Sequence, residues 1–100
     1  MAEIKTLSIG GNEATGTILT SPGGENHPNL IIIECNKGFL MCGYVNMAAC
    51  EKFGDVTVQV GGASFDEVLK NPIKAFTSKA AELGVKDGMT GLEAAEILNA

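Results

Sequence analysis

A chain of 100 residues carries twelve acidic and seven basic residues, a formal charge of −5, and no Arg. It has neither the clustered cations that neutralise nucleic-acid phosphates nor a guanidinium to clamp a phosphate or carboxylate at two points. With 45% hydrophobic residues but no Trp, four Phe and one Tyr, it is long enough for a single aliphatic core, so residues 1–100 read as one domain.

No apolar run reaches the roughly 20 residues of a membrane span. Met1 to Lys5 lacks the charged and apolar regions of a signal peptide. Three Cys behind such an N-terminus point to free thiols in a reducing, cytoplasmic setting.

Ile4 to Ile9 alternates as a strand does, with Leu7 and Ile9 on one face. Gly10-Gly11-Asn12 is a hairpin turn. Ala14 to Thr20 is a second strand, rich in Thr and so half exposed; Gly16 within it marks a bulge or a close approach by another backbone. Ser21 to Asn29, with two Pro, two Gly and the only His, is a loop. Leu30 to Ile33 and Phe39 to Cys42 are apolar without a break, the pattern of strands covered on both faces. Asn36-Lys37-Gly38 turns the chain between them, making Leu30 to Gly43 a central antiparallel hairpin.

Asn46 is a suitable N-cap, Met47 to Phe53 has room for two helical turns, and Gly54 is placed to end them. Val56 to Val60 is the next strand. About a dozen residues separate it from the hairpin, near the minimum for a right-handed β-α-β crossover, which would bury Met47, Cys50 and Phe53. Ser64 and Glu67 form a capping box for a short helix that stops near Lys70, ahead of Pro72. Asn71-Pro72 then suits N-cap and N1 of another helix, with Ile73, Phe76, Ala80 and Leu83 on one face. Gly84 and Val85 fit a Schellman end. Thr90 and Glu93 make a second capping box, opening a last helix through Leu98 that buries Leu92, Ala95 and Leu98. The expected architecture is α+β: a mixed five-stranded sheet around the central hairpin, one crossover, and C-terminal helices mainly on one face. So few helices cannot cover unbroken apolar strands twice, so the chain is expected to form a homo-oligomer that completes the cover.

Gly38-Phe39-Leu40-Met41-Cys42-Gly43-Tyr44 resembles a characteristic segment of the YunC-like family, small bacterial and archaeal domains of unknown function. Leu83 to Ala94, with its Leu-Gly-Val, Gly-Met-Thr-Gly and Glu-Ala, resembles a second block of that family, and Val60 to Leu69 is similar as well. The resemblance covers most of the chain from Leu30 on. It implies an α+β fold, assigns no activity, and directs attention to Cys42 and to the turn from Gly88 to Gly91.

Cys42 is the sharpest candidate. A thiol at a strand's C-terminal end, just before a helix start, sits where α/β sheets bind ligands and where a thiolate is favoured. The competing reading is a small buried hydrophobe. Gly43, Asn46, Gly88 and Thr90 complete the candidate ligand-binding set. His27 is more simply a solvated loop residue, although Glu25 and Asn26 could orient it if the loop folds over Cys42. Cys35, Cys42, Cys50 and His27 have ligand chemistry but not the paired spacing of a zinc motif, so no metal or cofactor is assigned. Gly61-Gly62-Ala63-Ser64 could bind an anion at a helix start, but Asp66 and Glu67 already place negative charge there. No phosphate-loop, dinucleotide or nucleophile-elbow pattern occurs. Two functions therefore stand side by side: a non-catalytic binding or structural module with a small-molecule ligand, or a thiol-dependent enzyme or ligand binder centred on Cys42. Neither involves nucleic acid or a membrane.

Overall fold

The computed structural model describes residues 2–25 and 27–100, leaving Met1 and Asn26 outside the described residues. Six strands form one mixed sheet in sequence order: β1 Ala2–Ile9, β2 Asn12–Leu19, β3 Leu30–Glu34, β4 Phe39–Met41, β5 Thr57–Val60 and β6 Ile73–Phe76. All neighbours are antiparallel except β4 and β5, which are parallel and joined through α1, Met47–Phe53. Three further helices follow: α2 Phe65–Lys70, α3 Ser78–Glu82 and α4 Gly91–Leu98.

Local chemistry explains most of these elements. Gly10 and Gly11 have φ of +62° and +86°, the two positive values that a two-residue hairpin between Ile9 and Asn12 demands. Asn46 caps α1 by accepting from the amides of Ala48 and Ala49. That helix closes in a Schellman turn, with Gly54 N–H donating to Glu51 O and Asp55 N–H to Cys50 O. The α3 end is built alike: Gly84 donates to Ala81 O and Val85 to Ala80 O, and Val85 is buried.

Side chains alternate across the sheet, so its two faces have different fates. Ile9, Ala14, Ile18, Ile31, Ile33, Leu40, Val58 and Val60 point to a first face and form the main core with Phe65 and Val68 of α2, Ala80 of α3 and Ala94, Ala95 and Leu98 of α4. Gly16 also belongs to this face. A Cβ there would lie 2.7 Å from the Phe65 ring, so the close approach is made by an aromatic edge, and the β1–β2 register runs through without a bulge. Met41 and Cys50, the buried residue of α1, are both outside that core. Met41 lies on the second face and is buried there, as is Thr57 opposite Phe39.

The sequence reading needs correction at four places. The sheet has six strands rather than five, because Ile73–Phe76 pairs with β5 instead of starting a helix. Periodicity at i, i+3 and i+7 suits a helix face, but the free edge of β5 offers backbone partners that a helix there would leave unmet. Thr77, not Asn71, then caps the shortened α3. In α1 only Cys50 of the three expected residues is buried; Phe53 is 76% exposed. In α4 the buried stripe is Gly91, Ala94, Ala95 and Leu98, and Leu92 is 40% exposed. Finally, the box at α2 is half formed. Ser64 Oγ accepts from Glu67 N–H, but the Glu67 carboxylate takes the Ala63 amide. At α4 both halves are present.

Candidate functional site

Parallel strands β4 and β5 end side by side, and the chain leaves both through glycine: Cys42-Gly43 after β4, Gly61-Gly62 after β5. Outside the carboxyl ends of parallel strands, backbone amides and small residues leave room for a ligand. A pocket of about 310 Å³ lies there, lined by Pro28, Asn29, Cys42, Gly43, Tyr44, Gly61 and Gly62. No charged residue is among these. Lys74 lies beside Gly61, its Nζ 3.1 Å from a Cβ placed there.

The far wall comes from the loop that precedes β3. Asn29 holds it in place: its Oδ1 accepts from Ser21 N–H at 2.9 Å, and its Nδ2 donates to Ala63 O at 2.9 Å. Tyr44 Oη donates to Pro28 O at 3.3 Å, joining that wall to the turn after β4. The turn itself is closed by Val45 N–H on Cys42 O. Asn71 Nδ2 donates to Gly61 O at 2.8 Å and steadies the third side.

Cys42 extends the β4 ladder by one residue, with its N–H on Ile31 O and its Sγ accepting from Ile31 N–H at 3.4 Å. It is 5% exposed, so the thiol is a pocket wall more than a surface group. Gly43 lines the same pocket and is exposed. Asn46 is engaged as the α1 cap. Gly88 and Thr90 are not part of the lining. Gly88 turns the chain at φ +89°, and Thr90 caps α4 with Glu93. His27 is exposed and lies beside Gly23. The loop does approach Cys42, but through Pro28 and Asn29 rather than the imidazole. Asn26 lies outside the described residues.

Cys35 shares the inward face with Cys42 but lies at the other end of the hairpin, its amide bonded to Gly38 O where that of Cys42 meets Ile31. Burial, helped by Glu34, raises the Cys35 pKa to about 11. Burial and then Asp55 raise that of Cys50. Both shifts favour the neutral thiol over the thiolate that binds metal. Among the described residues, no group of three or more His, Cys, Asp or Glu is arranged to hold a metal ion. Among the same residues, no helix is long and apolar enough to cross a membrane.

Sequence reasoning missed Tyr44, Pro28 and Asn29 as pocket residues. The Gly61-Gly62 step carried a signal, since it follows β5 as Cys42-Gly43 follows β4. Nothing in the spacing of residues 28 and 29 announces their place.

Residues 41–98 match a family model described as a domain of unknown function, DUF1805. The chain is 28% identical over 99 residues to the uncharacterized protein YunC of Bacillus subtilis (strain 168), with 94% of each chain covered. It is similar, with a TM-score of 0.87 and 28% identity, to the crystal structure of a protein of unknown function from Thermoplasma acidophilum, over 98% of this chain and 93% of that one.

Proposed function

Because the chain belongs to the DUF1805 family and is YunC-like, a domain whose description assigns no activity, we propose from its own pocket that it is a homo-oligomeric module that binds a small molecule without transforming it. The carrying observation is the cleft at the ends of β4 and β5, walled by Gly, Pro, Cys and Tyr and braced on three sides by Asn29, Tyr44 and Asn71. Apolar walls with a few placed polar groups are the usual make-up of a small-molecule site. Glycine walls admit a flat ligand body, and Lys74 at the rim suits an anionic or carbonyl end. Among the described residues, no general base stands against a nucleophile in the lining, which supports binding over turnover. Three unbridged thiols support a reducing, cytoplasmic setting.

Native mass spectrometry of untagged protein, purified without chelator, tests this. A reproducible added mass is expected, and it should vanish in Gly43→Leu, whose side chain would fill the pocket. Gly43 tolerates such a change because the nearest atom to an added Cβ is Gln59 Nε2 at 3.6 Å. Screening a small-fragment library by amide NMR covers a ligand lost in purification. Sustained absence of both the added mass and any shift at residues 42–44 and 61–62 would sink the reading.

The second reading, thiol chemistry at Cys42, draws on that residue lining the same cleft. It requires that iodoacetamide at neutral pH modify Cys42 in the native fold. Labelling that reaches Cys42 only after unfolding would end it.

A further inference from the structure

The registers of β1 to β4 put one uninterrupted row across the second face: Ile4 opposite Thr17, Thr17 opposite Ile32, Ile32 opposite Met41. The neighbouring row runs through Leu19 and Leu30. A sheet face turned to water normally carries polar and charged side chains. Here Glu13 and Glu34 are the only charged residues that alternation directs to this face in β1 to β4, and both sit toward one end of the strands. Met41 is 1% exposed, but Ile4 is 73% exposed and Leu30, Ile32 and Phe39 are half-buried.

We propose that this face is the contact by which a second copy of the chain packs, sheet on sheet, a claim that rests on the homo-oligomeric part of the reading above and locates it. The area is of the right order. Strands β1 to β4 hold 24 residues, and at about 3.3 Å each along strands about 4.8 Å apart they give a flat footprint on the order of 400 Å². Two such footprints give about 800 Å² before side-chain relief is counted, against the roughly 1,000 Å² that a specific interface clears. Projecting side chains, Ile4 above all, add to it. The surface is also self-complementary, as a two-fold contact requires. Ile4 stands proud of β1, while a groove of about 340 Å³ opens between Thr17, Ile32, Glu34 and Phe39. The row of Ile4, Thr17, Ile32 and Met41 at the centre carries no charge, and Glu34, itself exposed, borders the groove.

Light scattering with size exclusion, from about 1 to 100 µM, tests this on the full chain, the range bracketing micromolar affinity. Wild type should elute at twice the chain mass. Ile4→Lys and Ile32→Lys should each weaken association at least 100-fold. The first of these replaces a side chain already in solvent, so its far-UV circular dichroism should be unchanged. Leu92→Lys, exposed on the helical side, should leave the dimer intact. Wild type that stays monomeric at the top concentration overturns both the oligomer and this surface, and leaves the face to some other partner. A dimer that tolerates Ile4→Lys and Ile32→Lys overturns this surface alone.

Discussion

Asn99 ties three distant segments together while being 1% exposed. Its Nδ2 donates to Ile9 O and Asn12 O, its Oδ1 accepts from Asn36 N–H, and its carbonyl accepts from Asn12 and Asn36 side chains. The C-terminus is thereby fixed to the β1–β2 and β3–β4 turns. Asn99→Ala keeps the carbonyl but leaves buried backbone groups unmet, and each such group costs about 1–3 kcal/mol. Urea denaturation should show a loss of about 3 kcal/mol at an unchanged slope. Glu51 is the opposite case, an exposed carboxylate held by Ser78 N–H at 2.9 Å and Ser78 Oγ at 2.8 Å. Those two bonds lower its pKa from the ordinary 4.5. A depressed folded pKa stabilises the fold above the unfolded value, and the gain fades as pH falls through the folded one. Glu51→Gln should therefore lower the melting temperature slightly at pH 7, with the difference shrinking on acidification below pH 4.5. At this scale sequence patterning found caps and turns, since those depend on neighbours three or four residues away. Asn99 and Glu51 act across 63 to 90 and 27 positions, which no local pattern records.

Elements show the same division. Thr77 ends β6 and starts α3: its Oγ1 accepts from Thr57 and Ala80 amides and donates to Asp55 O at 2.7 Å. Thr77→Val preserves shape but strands those groups, so a loss of about 2 kcal/mol is expected by thermal unfolding, with Thr77→Ser recovering most of it. Helices α2 and α4 cross at Gly91, where a Cβ would overlap the Val68 carbonyl oxygen. Alanine has about 1 kcal/mol better helix propensity than glycine, but displacing a packed backbone costs about 1–3 kcal/mol. Gly91→Ala should thus destabilise, by about 2 kcal/mol in chemical denaturation, and the opposite sign would show that the two helices can separate freely. The helix expected over Ile73 to Phe76 failed for a related reason. Its periodicity was real, but the β5 edge decided the outcome.

For the whole molecule, one face of the sheet is sealed by α2, α3 and α4 and the other is buried only toward β4 and β5, at Met41 and Thr57. If a second copy covers the rest, stability is linked to association and the melting temperature should rise with protein concentration. A scan from about 5 to 200 µM spans micromolar dissociation constants, and a flat result would separate folding from assembly.

The amino-acid sequence by itself determined the hairpin from Leu30 to Gly43, the α1 crossover with its Asn46 and Gly54 ends, the Gly10-Gly11 turn and the α4 capping box. Each is set by apolar periodicity or by a backbone group met within a few residues. Only the tertiary structure decided that Ile73–Phe76 is a strand, that Phe53 and Leu92 face outward, and that Pro28 and Asn29 close a pocket over Cys42. Those outcomes depend on which sheet edge is free and which face is already occupied. Such facts arise when distant segments meet, because burial and hydrogen bonding reward the assembled surface rather than the local chain.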